Sequence, residues 1–264
     1  TVTMPEIFII PKIIGRLSFG VNLLVRTLLY LFFAALAVLF FTVIYYSVSL
    51  SELPWRLLVH ESVVIFMKGE FLVILLLCLI VAFLINALRL IVNRFGEGVF
   101  WNYISGRYHI PREEERIFMF LDLYASTMIA ERIGHYRYHQ FLNELFTDIS
   151  EPLWHNLGEI YQYVGDEVVI TWPIRVGLED SHCLKCFFEI HSMLKNKAAH
   201  YDAEYGCKPE FKAGLHAGKV IAGEVGELKT EIVYHGDTVN TASRIRSECS
   251  VFRRNFLISG DVLR

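Results

Sequence analysis

The chain has 264 residues, with 25 Lys and Arg against 28 Asp and Glu for a formal net charge of −3, and 54% of it is hydrophobic. The small acidic excess leaves no electrostatic footprint for nucleic-acid binding, and so much apolar content excludes a disordered chain. Charge is also unevenly spread, 7 basic and 5 acidic residues in 1–100 against 18 and 23 in 101–264, which excludes a single uniform soluble domain.

In chain order, Thr27 to Ser51 is free of charge and built around LLYLFFAALAVLFFTVIYY. About 20 apolar residues at 1.5 Å each span a hydrocarbon layer of about 30 Å, so a transmembrane helix is expected at about 27–49. A second apolar run, FLVILLLCLIVAFLINAL from Phe71 to Leu88, predicts another at about 71–92. Both runs are too long for a signal peptide and lack a small-residue cleavage site. Lys12, Arg16 and Arg26 precede the first run, and Arg89, Arg94 and Arg107 end or follow the second. The loop between them sets Arg56 and Lys68 against Glu52, Glu61 and Glu70. The excess of basic residues outside the loop predicts a multi-pass protein of the cell (inner) membrane with both termini cytoplasmic. The lipid bilayer is thus an expected partner of residues 1–93. The chain begins with Thr1, so the total number of spans is left open.

Residues 94–115 mix aromatics, charges and glycines and read as a linker. From Arg116 the pattern becomes that of a folded domain. RIFMFLDL, Arg116–Leu123, reads as a central buried strand. Ser126 and Thr127 offer a helix N-cap, and Met128 to about Asp148 follows at helical spacing. GEIYQYV and EVVITW read as two strands joined at Gly165-Asp166. Asp180 to about Tyr201 is a second amphipathic helix; FKAGLHAG, KVIAGEV and EIVY are further strands, and Val239–Cys249 a third helix. Strand, helix, strand, strand, helix, strand is the order of a ferredoxin-like (palm-type) α+β fold. Of the five cysteines, Cys183 and Cys186 form the one CxxC; with no second ligand pair at comparable spacing, the expectation is two thiols on a buried helix face.

That fold sets the end of the first strand beside the hairpin between the second and third, the positions of Asp122 and Asp166. Paired carboxylates without a supporting cysteine or histidine cluster suit hard cations such as Mg²⁺ or Mn²⁺; taken alone, an Asp at a hairpin is as well explained as a turn former. Downstream, GDTVNTASR places Asn240 and Arg244 four residues apart, on one face of a helix. An amide and a guanidinium facing the same way suit a ribose and a charged phosphate.

With FLDLYAST, YVGDEVV and GDTVNTASR in this order, the sequence resembles the class III nucleotidyl cyclases from about Arg116 to the C-terminus, and PREEERIFMFLDL looks like the bacterial membrane-bound members. The resemblance implies that Asp122 and Asp166, with the Leu123 carbonyl, hold two divalent metal ions (Mg²⁺ or Mn²⁺). It implies that backbone N–H groups of Ala125, Ser126 and Thr127 cradle the terminal phosphates. By the same resemblance Asn240 orients the ribose, Arg244 stabilises charge at the α-phosphate, and Lys219 contacts phosphate. The two base-selecting positions of the family hold Gln162 and Val233, which match neither usual pair; ATP is expected because most bacterial members are adenylyl cyclases, with GTP as the alternative. The family shares each site between two catalytic domains, which implies a homodimer. Two departures stand out: Ala125, where the family frequently has glycine, is expected to need a negative φ, and the chain ends at Arg264, where family domains usually continue, so that 116–264 is expected to be C-terminally incomplete. A weakly active signalling or receptor module on the same fold, and a diguanylate-cyclase-like palm enzyme suggested by VGDEV, are the competing readings.

Overall fold

The computed structural model describes residues 69–95 and 97–263, together with scattered positions between 20 and 44. The chain divides into two units, Thr1–Glu97 and Gly98–Arg264.

In the first unit the longest described element is helix α1, Gly69–Phe95. Its apolar side chains stand in the open: Leu76, Ile80, Leu84 and Leu88 are each about half exposed. Among the described residues of this unit, three polar side chains find partners. Asn86 donates to the Ala82 carbonyl at 2.8 Å, Thr27 donates to the Leu23 carbonyl at 2.8 Å, and Arg89 donates to the Tyr30 hydroxyl at 3.3 Å. Among the described residues no helix is long and apolar enough to cross a membrane; side chains of α1 are described without a break only from Leu76 to Val92. Much of the predicted span at 27–49, the loop with Glu52, Arg56, Glu61 and Lys68, and the basic residues Lys12, Arg16 and Arg26 lie outside the described residues.

Helix α2 (Glu97–Ile104) and a turn lead to strand β1, Arg112–Leu123. The strand starts four residues before the hydrophobic pattern suggests. Its charged head is stabilised by partners: Glu113 pairs with Lys219 at 2.8 Å, and Glu114 pairs with Arg107 at 2.7 Å and accepts from the Tyr108 hydroxyl at 3.0 Å. Next come α3 (Ser126–Ile133), α4 (His135–Asp148), α5 (Ser150–His155), β2 (Glu159–Val164) and β3 (Glu167–Pro173). After α6 (Ile174–Leu178), helices α7 (His182–Asn196) and α8 (Ala198–Tyr205) lead to β4 (Phe211–Val225). The chain closes with β5 (Glu231–His235), α9 (Asp237–Val251) and β6 (Phe256–Ile258). The sheet runs β2-β3-β1-β4-β5, with β6 also on β4. All pairs are antiparallel except β4 with β6. Its first four strands have the ferredoxin-like order, and β5 extends it.

Both faces of β1 are buried, which is why it reads as an unbroken apolar run. Ile117, Met119, Leu121 and Leu123 meet Phe141, Leu145, Cys186 and Ile190 in the main core. Phe118 and Phe120 face Val169, Val220 and Ala242, capped by Tyr161 and Tyr234. Other boundaries also differ from the sequence pattern. The helix expected over 128–148 is broken at Gly134, which has φ +79°. The one expected over 180–201 starts at His182, because Asp180 and Ser181 both have left-handed backbones, and it hands over to α8 at Lys197. FKAGLHAG and KVIAGEV form one strand of 15 residues, β4, since its glycines are accommodated by close packing and not by turns. Cys183 and Cys186 are buried free thiols on the inner face of α7, and burial pushes the Cys183 thiol up to about 11, as an inert core cysteine requires.

Candidate functional site

The metal-type residues sit at one end of the sheet. Asp122 is the penultimate residue of β1, directly opposite Glu167 on β3 and Lys212 on β4. Asp166 occupies the two-residue hairpin turn with Gly165, whose φ of +65° requires glycine. Burial raises the Asp122 carboxyl above the ordinary range; the Asp166 charge adds to this, while Arg246 and Lys212 oppose it. Tyr138 of α4 feels both aspartates, and its phenol is raised by burial first and by Asp166 next. The expected metal ligands are therefore near neighbours. Leu123, the third, is buried at the end of β1.

Two groups at this end were not legible from motif spacing. Arg246, from α9, lies 3.3 Å from Asp122 through Nη1 and 2.7 Å from Glu167 through Nη2. Glu167 is mostly buried, which raises its carboxyl, with Arg246 pulling it down. A cue for each was present: Glu167 follows Asp166 in the hairpin, and Arg246 follows Arg244 by two residues on the same helix. Among the described residues no three-residue His, Cys, Asp or Glu cluster forms a metal cage. Two carboxylates and a backbone carbonyl fit instead a hard cation whose shell is completed by water and phosphate oxygens.

The phosphate-type positions Ala125, Ser126 and Thr127 do open a helix next to Asp122, but the sequence expectation needs correcting in two respects. Ala125 has φ +57°, a left-handed backbone, where a negative φ was expected of alanine. The capping position is Ala125 itself, and no side chain caps α3, so Ser126 and Thr127 are the first helical residues and not its N-cap. The N–H groups of that first turn are left without a side-chain partner.

Asn240 and Arg244 stand together on the exposed side of α9, as their spacing predicts. Arg246, two residues beyond Arg244 on the same helix, reaches Asp122. The start of α9 lies instead beside Lys219, whose carbonyl accepts from the Thr238 hydroxyl at 2.7 Å. Lys219 is exposed and ion-paired with Glu113. In the β1–β4 register, Lys219 faces Glu115 and Lys212 faces Asp122. Seven strand residues, about 23 Å at ~3.3 Å each, thus separate Lys219 from the metal-type end. Gln162 is exposed on β2 at a register shift, and Val233 is half-buried on β5 opposite Gly223. Their chain neighbours Tyr161 and Tyr234 touch, with ring centroids 5.1 Å apart.

The sequence model of the family "Adenylate and Guanylate cyclase catalytic domain" matches residues 109–257. The chain is 41% identical over 169 residues to "Adenylate cyclase 2" of Rhizobium meliloti (strain 1021), covering 64% of this chain and 47% of that protein. It is 30% identical over 172 residues to "Adenylate cyclase 1" of the same strain, covering 63% and 25%. It spans less than half the length of either relative. Among solved structures it is similar to a bacterial light-regulated adenylyl cyclase, with a TM-score of 0.61 at 21% identity, covering 70% of this chain and 55% of that one. It is also similar to the guanylyl cyclase Cya2, with a TM-score of 0.52 at 21% identity, covering 58% and 78%.

Proposed function

The chain belongs to the adenylate and guanylate cyclase catalytic-domain family, and we propose that it converts ATP to 3′,5′-cyclic AMP and pyrophosphate. The observation that carries this reading is the distribution of groups along one scaffold: Asp122 and Asp166 together at one end of the sheet, Asn240 and Arg244 on the open face of α9. The 41% identity to a protein called an adenylate cyclase supports ATP over GTP.

In the reaction the ribose 3′-oxygen bonds to the α-phosphorus as the bond from that phosphorus to the α,β-bridging oxygen breaks. Pyrophosphate leaves, and the 3′-hydroxyl proton passes to solvent. Asp122, Asp166 and the Leu123 carbonyl would hold two divalent ions, Mg²⁺ or Mn²⁺. Such ions lower the pKa of the 3′-hydroxyl and neutralise the triphosphate. The free N–H groups of Ser126 and Thr127, at a helix start, receive phosphate oxygens. Arg244 offers a planar fork to charge developing at the α-phosphate, and Asn240 orients the ribose. Gln162 can donate and accept toward a purine edge, with Val233 shaping the base pocket and Lys219 serving a phosphate. Asn240 and Arg244 are exposed on α9 and open to a second copy, and on this reading the complete site is assembled from two copies, each giving its carboxylates to the other's Asn240 and Arg244.

The same reading anchors the protein in a bilayer through its N-terminal part, with the catalytic domain on the cytoplasmic side. The exposed apolar side chains of α1 from Leu76 to Ile91 support it. Alkaline extraction of membranes checks it: the chain stays with the lipid if anchored and is released if peripheral. The decisive assay supplies ATP or GTP with Mn²⁺ to the full chain. Cyclic AMP is expected, and Asp122→Asn should lower its rate at least a hundredfold; cyclic GMP at equal efficiency overturns the substrate, and no cyclic product overturns the enzyme.

A further inference from the structure

Asp122 and Glu167 are direct cross-strand neighbours, and like charges so placed repel one another. What lies between them is a guanidinium brought in from a different element. Arg246 of α9 is held 3.3 Å from Asp122 and 2.7 Å from Glu167. All three side chains are at most about one-quarter exposed, at 26%, 12% and 26% for Asp122, Glu167 and Arg246, so the contacts are less screened than surface pairs. The Arg246 Nε is buried with no hydrogen-bond partner. The guanidinium is thus held mainly by the two carboxylates. It can be aimed there only because α9 presses its backbone onto β4 at Gly214, where a Cβ would fall 2.7 Å from the Ala242 carbonyl oxygen.

We propose that Arg246 is a positioning residue that acts as an internal counter-cation, occupying Asp122 when no metal is bound and retreating onto Glu167 when one is. The inference rests on the reading of Asp122 and Asp166 as metal ligands. A cation entering beside Asp122 meets the positive charge of Arg246, so loading the site requires the 3.3 Å contact to open while the Glu167 contact keeps the arginine in place. Since Arg246 is two residues from Arg244 on α9, cation binding at Asp122 is linked to the setting of the helix that carries the triphosphate-facing groups, and the linkage is reciprocal.

The test is Mn²⁺ binding to the full chain, read by the electron paramagnetic resonance of free Mn²⁺, in the absence of nucleotide. Arg246→Gln should tighten Mn²⁺ at least about fivefold and lower the metal-free Tm while enlarging the Tm gain on adding Mn²⁺. Glu167→Gln, which removes the retreat position, should weaken Mn²⁺ binding instead. This second variant keeps the question open to decision if Arg246→Gln does not fold. An Mn²⁺ affinity unchanged or weakened in Arg246→Gln, or unchanged in Glu167→Gln, overturns the counter-cation role even if Tm falls. Failure of the underlying reading has a different signature: wild-type chain that binds no Mn²⁺, or binding that survives Asp122→Asn, removes the metal site itself.

Discussion

Ala125 holds a left-handed backbone, at φ +57°, at the entrance to α3. For an L-residue this costs roughly 1–2 kcal/mol, and glycine would adopt it freely while giving back about 0.4–1 kcal/mol through its more flexible unfolded chain. Ala125→Gly is therefore expected to stabilise the protein by up to about 1 kcal/mol, measured by urea unfolding; destabilisation would contradict the strain. A second residue gives a pH signature. His216 donates to or accepts from Ser259 at 2.7 Å and lies mostly buried, and burial lowers its pKa despite Asp261 nearby. The unfolded chain therefore binds a proton at higher pH than the folded one. Stability from this group is complete above about pH 6.5, the unfolded value, and is lost as pH falls below it, by at most about 1.4 kcal/mol per pH unit. His216→Asn should flatten the pH dependence of Tm between pH 5 and 7. At this scale the sequence pointed to residues that sit in motifs: Asp122, Asp166, Asn240 and Arg244 all lie where their spacing implied. Arg246 and Glu167 were not legible, because pairing across three elements leaves no local period, and the φ of Ala125 is fixed by the path from β1 into α3 and not by its own preference.

The packing of α9 on β4 depends on two absent side chains. At Gly214 any Cβ would collide with the backbone of Ala242 and Arg246, and at Gly218 it would fall 2.6 Å from the Thr238 hydroxyl. Gly214→Ala must lift the helix, for a loss of about 3 kcal/mol or more, seen as a drop in Tm. Because the collision is with backbone, no repacking of side chains relieves it. Gly218→Ala should cost less, since Thr238 can change rotamer, although its bond to the Lys219 carbonyl would go. The strand order was readable from the succession of strands and helices, the helix faces from helical spacing, and the hairpin from Gly165-Asp166. What misled was the assumption that glycine ends a strand: in FKAGLHAGKVIAGEV the glycines admit a neighbour, and β4 runs straight through them. Likewise the charged start of β1 looked like linker because its partners, Arg107, Tyr108 and Lys219, are remote in sequence or outside the apolar pattern.

For the molecule as a whole, the proposed sharing of sites predicts complementation. Chains carrying Asp122→Asn, mixed with chains carrying Asn240→Ala, should regain up to about a quarter of wild-type cyclase activity, since half of randomly paired dimers are mixed and each has one intact site of two. Each variant alone should be inactive, and a mixture that stays inactive would place both sets of groups in one chain. Division into an apolar first part and a charged second part was visible from charge density alone, because composition survives any folding. The exposure of Asn240 and Arg244 on α9 has one more consequence. If a site is completed only by a second copy, turnover per chain should rise with chain density at low occupancy and level off once pairing saturates. Confinement to a two-dimensional surface raises encounter frequency without any new contact, so on the proposed reading the amount of lipid into which a fixed number of chains is diluted becomes a control on output.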